Sequence, residues 1–152
     1  MDITIPEALK IEHEELHAEL SALSKAPGGV GEAAREVARL LHPHFVKEEE
    51  YALPPLGLLA TVAQGTVMPA MRAVLVMTDR LKEELPEMVA EHRVVVAALE
   101  KLAEAGKAEK RTDAERFAEK LRLHAETEEQ VLYPAAILVG EYVKAHLGPG
   151  HP

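Results

Sequence analysis

The chain of 152 residues contains no cysteine and no tryptophan. Without cysteine, disulfide bonds, thiolate-bound zinc, iron–sulfur clusters and thiol nucleophiles are excluded, so nitrogen and oxygen atoms must bind any metal. Basic residues are the minority of the charged residues, with 17 Lys and Arg against 26 Asp and Glu. Because the resulting formal net charge of -9 repels a phosphate backbone, we expect no nucleic-acid partner.

Long uninterrupted apolar runs are missing as well. The most apolar stretch, residues 53–77, is broken by prolines, glycines and an arginine, so it does not offer the roughly 20 apolar residues of a membrane span. The N-terminus lacks the basic start and apolar run of a secretory signal peptide. We therefore expect a cytoplasmic protein with no membrane partner, and homo-oligomer formation is left open.

Periodic apolar residues predict helices along the whole chain. Four helices are expected at about 4–24, 31–51, 69–105 and 112–133, followed by a helical tail to about 147. Capping-box patterns at Thr4–Glu7 and Thr112–Glu115 predict the starts of the first and fourth helices. Pro86 predicts a bend or break in the third helix, and Gly106 is its predicted C-terminal glycine.

No segment shows the strict alternation of polar and apolar residues that is typical of a β-strand. The sequence therefore predicts an all-α chain, most simply an up-down four-helix bundle. We expect a single domain over residues 1–147 and a frayed C-terminal tail over residues 148–152.

Histidine interrupts the apolar seam of every predicted helix, and glutamate interrupts two of them. Unpaired polar groups in a core cost several kcal/mol each, so something must compensate for them. A metal ion does so directly, because neutral imidazole and ionised carboxylate are its ligands. The candidate metal ligands are His13, His44, Glu48, His92, His124 and Glu128.

The two halves of the chain repeat this pattern. The offset between matching residues is 79 for the histidines of the first and third helices, and 80 for the H-x-x-x-E motifs of the second and fourth. Each motif is followed by a proline ten residues after its histidine, at Pro54 and Pro134. Each half thus offers two His and one Glu, a set that leaves open coordination positions on iron. Two metal ions bridged by the two carboxylates are the natural arrangement.

Other interpretations of these six residues stay open at this point. They could form a purely structural polar network, or two of the histidines could hold a haem. A closed zinc site is a further option, although zinc uses four ligands and six are present. The ligand count favours two iron ions over manganese or zinc.

The pattern H, H-x-x-x-E, H, H-x-x-x-E on four helices resembles the hemerythrin-like (HHE cation-binding) family over essentially the whole chain. The resemblance implies a hemerythrin-like bundle with a helix-pair repeat and an oxo- or hydroxo-bridged non-haem di-iron centre bound by the six residues. It implies that the protein binds or senses dioxygen or nitric oxide. The alternatives are an enzyme that removes peroxide or nitric oxide, and an iron-homeostasis or repair protein.

One position departs from the oxygen-carrying members of that family. They have a fifth histidine one turn after the histidine of the third helix, where this chain has Val96. This difference brings the sequence closer to bacterial members with four His and two Glu, and it leaves open whether there is turnover.

Several further residues lie near the predicted ligands in the sequence. Three roles stay open for His17: a seventh ligand, a hydrogen-bond donor to a ligand, or an exposed residue. His42, His146 and His151 are expected at the surface. Four glutamates adjacent to the ligands either orient the ligand imidazoles or face solvent; they are Glu12, Glu49, Glu91 and Glu129. Tyr51 and Tyr133 are expected to pack near the site.

Overall fold

Six α-helices make up most of the computed structural model, which describes residues 1–147. They are α1 (Glu7–Ser24), α2 (Gly28–Lys47), α3 (Leu59–Ala63), α4 (Val74–Ala108), α5 (Thr112–Thr127) and α6 (Tyr133–Leu147). Short 3-10 helices at Pro54–Leu58 and Pro69–Ala73 flank α3, and no β-strand occurs within the described range. The prediction of an all-α helical bundle is confirmed. The predicted frayed tail, residues 148–152, lies outside the described residues.

Helices α1, α2, α4 and α5 form the four-helix bundle, and α4 is its longest member. With 35 residues at about 1.5 Å each, α4 runs the full length of the molecule. Its C-terminal half packs against α2 and α5, and its N-terminal half packs against α6, which continues the direction of α5. None of the helices in residues 1–147 is both long and apolar enough to cross a bilayer.

A close contact fixes α6 against α4. Gly140 lies so near Thr78 that a Cβ at the glycine would stand 2.1 Å from the threonine Oγ1. Only a residue without a side chain allows this approach, so the small residue sets the distance between the two helices.

A polar layer separates two apolar clusters along the bundle axis. One cluster joins the C-terminal half of α4 to the other three bundle helices and includes Leu16, Leu41, Phe45, Val95 and Leu121. The second cluster is formed around the first half of α4 and the start of α6, and includes Tyr51, Leu81, Met88 and Tyr133. The predicted metal ligands lie in the layer between them, as their sequence positions between these residues require.

The predicted helix starts need correction. No side chain caps α1 or α5, whose N-cap residues are Pro6 and Arg111, so the two capping-box predictions are wrong. Helix α2 begins three residues earlier than predicted. The N–H groups of Gly29 and Val30 in its first turn donate to the carboxylate of Glu109 at the end of α4, 3.1 and 2.7 Å away. An anion from another helix therefore stabilises this N-terminus.

The prediction for the third helix is wrong at its C-terminal glycine. The helical stretch begins with the 3-10 helix at Pro69–Ala73 and continues as α4, which contains Pro86 without a break and extends to Ala108. Gly106 is a buried position inside it, where a Cβ would meet α5 at 2.9 Å. The helix ends instead with Lys110 in the left-handed region (φ 57°), and the N–H of Arg111 donates to the carbonyl of Gly106.

Two π-helical turns interrupt the regular helices, at Glu48–Ala52 and Glu128–Leu132. They occupy the same position in each half of the chain. Pro54 and Pro134 follow them, and because proline has no N–H, neither can donate to the carbonyl four residues earlier. The missing donor favours the wider turn, which is typical of functional sites in helices.

The second π turn changes which side chains face the core. The seam pattern predicts Val131 in the core, but its exposure is 56%. The prediction assumes a regular α-helix, whereas a π turn places residues five apart on one face. Tyr133, five residues after Glu128, therefore takes the buried position.

Candidate metal centre

The six predicted ligands converge in the polar layer of the bundle. Each of α1, α2, α4 and α5 contributes one histidine, and each π turn begins with one of the glutamates. All six side chains are buried, and even the most accessible, His124, is only 8% exposed. The four helices thus hold four imidazoles and two carboxylates away from water.

The ligand atoms form two groups that share one carboxylate. In the first, His44, Glu48, His92 and Glu128 each offer an atom within 4.8 Å of the others. In the second, His13 and His124 meet Glu128 within the same distance. Two adjacent cation positions joined by Glu128 are the arrangement that this geometry allows.

The two glutamates do not face the histidines in the same way. Glu128 directs Oε1 toward His92 Nε2, 3.2 Å away, and Oε2 toward His124 Nε2, 3.1 Å away. Only Oε1 of Glu48 approaches imidazoles, at 3.7 Å from His44 Nε2 and 3.8 Å from His13 Nε2. One carboxylate therefore spans both groups with both oxygens, and the other does so with one.

A carboxylate faces the Nδ1 atom of every ligand histidine. Two of them come from the residue before a ligand on another helix: Glu91 lies 2.9 Å from Nδ1 of His44, and Glu12 contacts Nδ1 of His124. The other two follow a ligand glutamate, with Glu49 at 3.8 Å from His13 Nδ1 and Glu129 at 3.6 Å from His92 Nδ1. A carboxylate hydrogen-bonded to Nδ1 keeps the proton there and leaves Nε2 free to bind a metal. Of the two roles predicted for these glutamates, the geometry matches the orienting one for Glu91 and Glu12. Glu49 and Glu129 are too far from Nδ1 for a hydrogen bond, and Nδ1 of His13 and of His92 has no hydrogen-bond partner within residues 1–147.

Burial and mutual contact shift the pKa values of the charged groups in opposite directions. Burial, together with the charge of Glu128, raises the pKa of Glu48 well above its ordinary value. Burial acts in the same direction on Glu128, but hydrogen bonds from Glu48 and the histidines outweigh it and lower the pKa of Glu128 well below the ordinary value. Burial lowers the pKa of His44. The carboxylates of Glu128 and Glu12 outweigh burial at His124 and raise its pKa.

Several buried nitrogen and oxygen atoms in this layer have no hydrogen-bond partner and suit a cation. Within residues 1–147, buried ligand atoms without a partner in hydrogen-bond geometry include Nε2 of His13 and His124 and one oxygen of each glutamate. Each such atom costs about 1–3 kcal/mol when nothing satisfies it. Imidazole nitrogens and carboxylate oxygens are ligands of iron, manganese and zinc. The residues present therefore fit a bound metal.

The family model of the hemerythrin HHE cation-binding domain matches residues 4–136. The chain belongs to the hemerythrin family. Membership implies a metal cofactor, typically iron, and the family binds small gas ligands such as dioxygen at the metal site. No curated protein and no solved structure matches the chain significantly.

Metal loading of this hemerythrin domain should release protons. Because their pKa values are raised, Glu48 and His124 bind protons more tightly than an ordinary glutamate and histidine do, and a metal must displace those protons. Metal and proton then compete, so metal affinity should rise with pH, by about tenfold per pH unit for each proton displaced. Calorimetric Co²⁺ titration of metal-free protein, in buffers of different ionisation enthalpy between pH 6 and 8, gives the proton count. His42→Ala, at the surface, should release the same number, and an affinity independent of pH would contradict the expectation.

The other histidines of the hemerythrin domain lie outside both groups. His17 is exposed one turn after His13, so the ligand role left open for it has no support in the geometry. His42 is exposed, as predicted. His146 is exposed and stacks on Tyr142 of the same helix. His151 lies outside the described residues.

Tyr133 lies among the predicted ligands, whereas the sequence indicated only that it packs near the site. Its hydroxyl is 2.7 Å from Oε2 of Glu48 and 3.2 Å from Nε2 of both His44 and His92. Tyr51 instead directs its hydroxyl away from the centre, to Glu84. The repeated proline after each H-x-x-x-E motif is the signal that could have revealed the π turn and hence the place of Tyr133.

Proposed function

We propose that the chain is a non-haem di-iron protein that binds or senses a diatomic gas, dioxygen or nitric oxide. The proposed metal ligands are His13, His44, Glu48, His92, His124 and Glu128. The observation that carries the proposal is the pair of buried donor groups sharing Glu128, in a layer that leaves several of their atoms without partners.

The donor count supports two irons. Four imidazoles and two carboxylates exceed the four ligands of a tetrahedral zinc site. They divide into a group of two His and two Glu and a group of two His and one Glu that share Glu128, and both are mixtures of nitrogen and oxygen ligands that suit iron. Bound ferrous ions would supply electrons and coordination positions that the protein leaves open. The imidazoles and carboxylates of the chain would hold these ions, and Glu91 and Glu12 fix the ring orientations of His44 and His124 through their Nδ1 atoms.

The surroundings of the centre favour a very small ligand. Buried apolar side chains cover it on one side, among them Leu16, Val95 and Leu121, and Phe45 stacks on the ring of His13 at 4.3 Å. A surface groove of about 440 Å³ between α1 and α2 ends at His13, and a smaller one of about 200 Å³ ends at His124. Because both histidines are more than nine-tenths buried, an organic substrate in either groove would meet only the edge of a ligand ring, and this supports a very small ligand.

A second candidate function is the enzymatic removal of peroxide or nitric oxide at the same centre. Tyr133 favours it, because its hydroxyl is a hydrogen-bond donor that lies directly among the ligands Glu48, His44 and His92. Reduction of either molecule consumes protons, which reversible gas binding does not.

Rapid mixing of anaerobic ferrous protein with each gas and with peroxide, followed by visible absorbance, tests these functions. Gas binding should give an adduct that disappears when the gas is removed, and an enzyme should consume peroxide or nitric oxide over many cycles. Neither response in iron-loaded protein would contradict both and favour the iron-homeostasis or repair role.

His124→Ala should lower iron content and melting temperature together, because it removes a ligand from the second group. His42→Ala, an exposed histidine on α2, is the matched control and should change neither. Iron analysis of the purified variants and thermal unfolding measure the two effects. An unchanged iron stoichiometry in His124→Ala would count against the ligand assignment.

A further inference from the structure

The surface groove of about 440 Å³ between α1 and α2 carries metal-ligating side chains that the centre does not use. The stacked rings of His13 and Phe45 lie at its inner end. Two histidines and two glutamates, all exposed, lie along the groove: His17 and Glu14 on α1, His42 on α2, and Glu49 in the π turn that follows α2. None of these four residues belongs to the ligand groups of the centre.

His17 and His42 lie where two grooves meet. Both also line a neighbouring groove of about 330 Å³, which continues toward the C-terminal end of α1. One comes from α1 and the other from α2, so the pair spans the space between the two helices. Within residues 1–147 neither ring has a hydrogen-bond or ion-pair partner, so both imidazoles are free to bind a cation from solvent.

The charge along the α1–α2 groove suits a cation. Glu14 and Glu49 supply two carboxylates, and no lysine or arginine is among the described residues that line the groove. The smaller groove, which ends at His124, is lined by Lys120 as well as Glu12. A cleft with charges of one sign concentrates counter-ions and speeds their arrival by about tenfold or more, so a divalent cation should be drawn to the α1–α2 groove.

His13 is the ligand that separates this groove from the centre. Its Nε2 faces the centre, 3.8 Å from Glu48 and 3.6 Å from Glu128, whereas its Nδ1 faces Glu49 at 3.8 Å. The ring is only 4% exposed, and its Nδ1 is buried without a hydrogen-bond partner from residues 1–147. Because no hydrogen bond fixes a proton on Nδ1, either nitrogen of this ring can offer its lone pair to a cation.

We propose that the α1–α2 groove is the entry site for metal ions: His17 and His42 bind a divalent cation weakly, the two carboxylates attract it, and the His13 ring passes it to the centre. This inference rests on the proposed metal-binding function and adds the route by which the centre is loaded. The same path serves entry and exit. Loss of its side chains therefore changes the rates and leaves the affinity, the proton release and the final metal content unchanged.

Stopped-flow mixing of metal-free protein with Co²⁺ under anaerobic conditions, followed by visible absorption, measures the loading rate, and extraction by a chelator measures release. In the wild type the loading rate should level off as Co²⁺ increases, because the entry site fills first. The double variant His17→Ala/His42→Ala should load about tenfold more slowly, at a rate that stays linear in Co²⁺. Its release should slow by the same factor, so its dissociation constant should equal that of the wild type.

His146→Ala is the matched control for the two histidines. His146 is exposed on α6 and does not line the groove, so this variant should load at the wild-type rate. All three substituted histidines are exposed, and circular dichroism should show the helix content of the wild type in both proteins.

Glu14→Gln and Glu15→Gln test the contribution of charge. These neighbours on α1 are both exposed and their variants have the same net charge, but only Glu14 lines the groove. Glu14→Gln should slow loading about threefold at low salt, since it removes one of the two carboxylates of a cleft that speeds arrival about tenfold. High salt should close this difference by screening. Glu15→Gln should load at the wild-type rate.

Equal loading rates in the wild type, the double variant and Glu14→Gln would overturn the proposal. A weaker affinity in the double variant would overturn it as well, because the histidines would then hold the ion in its final position. Failure of the proposed function has a different signature: the wild-type protein itself would show no absorption of bound cobalt at any concentration.

Discussion

Replacement of Glu128 by alanine should empty both metal positions at once. Glu128 belongs to both ligand groups, and its two oxygens lie 3.2 and 3.1 Å from histidines of different groups. Its loss removes a charged ligand from each cation, so each affinity should fall by more than the roughly 10- to 100-fold seen when a group that only orients a ligand is removed. Metal analysis after dialysis should find a content near zero, whereas Glu48→Ala should retain more metal than Glu128→Ala.

Glu126→Ala is the control for this substitution. Glu126 lies on the exposed face of α5, two residues before Glu128, and pairs with Arg122 at 3.2 Å. Because exposed ion pairs contribute little to stability, this variant should keep its full metal content. The assignment of Glu128 as the shared ligand is wrong if Glu128→Ala still binds two ions, or if Glu126→Ala loses as many.

The fold class and the convergence of the six residues could be predicted from the sequence because both follow from burial. A histidine in an apolar seam faces the core whatever the exact helix ends, and the cost of burying it demands a compensating partner. The spacing of four in each H-x-x-x-E motif then places both side chains on one helix face. These inferences need only the helical period, which holds for residues such as His13 and His92 that lie well inside their helices.

The places where the helical period changes could not be predicted from the pattern of apolar residues. At a constant 3.6 residues per turn, the apolar seam of the fourth predicted helix places Val131 in the core, but the π turn that begins at Glu128 leaves this residue exposed. Proline at an identical offset in both halves was visible in the sequence. Its meaning, however, depends on which carbonyl loses its donor, and this is known only once the helix boundaries are known.

Contacts between distant helices were also beyond a sequence argument. Glu12 precedes His13 but contacts His124, and Glu91 precedes His92 but contacts His44. Likewise the start of α2 is stabilised by Glu109, some 80 residues away. Periodicity shows the direction in which a side chain points along its own helix, whereas its partner is determined by the packing of the bundle.

Metal should stabilise this bundle strongly, because the layer that binds it is otherwise unfavourable. Within residues 1–147, buried ligand atoms of His13, Glu48 and His124 have no hydrogen-bond partner from the chain, and the energy of metal binding becomes folding energy. A metal present at about 1,000 times its Kd contributes about 4 kcal/mol per site, which is an increase in melting temperature of about 8–16 °C for a domain of this size.

Thermal unfolding of the chelator-treated protein, before and after addition of ferrous iron under anaerobic conditions, measures this increase. The melting temperature should rise with iron concentration up to two equivalents and then only slowly, as mass action requires. Mg²⁺ prefers an all-oxygen shell and binds imidazole poorly, so the same amount of Mg²⁺ should leave the transition nearly unchanged. An equal melting temperature with and without iron would mean that the six buried side chains satisfy one another, and it would favour the purely structural interpretation of the polar layer.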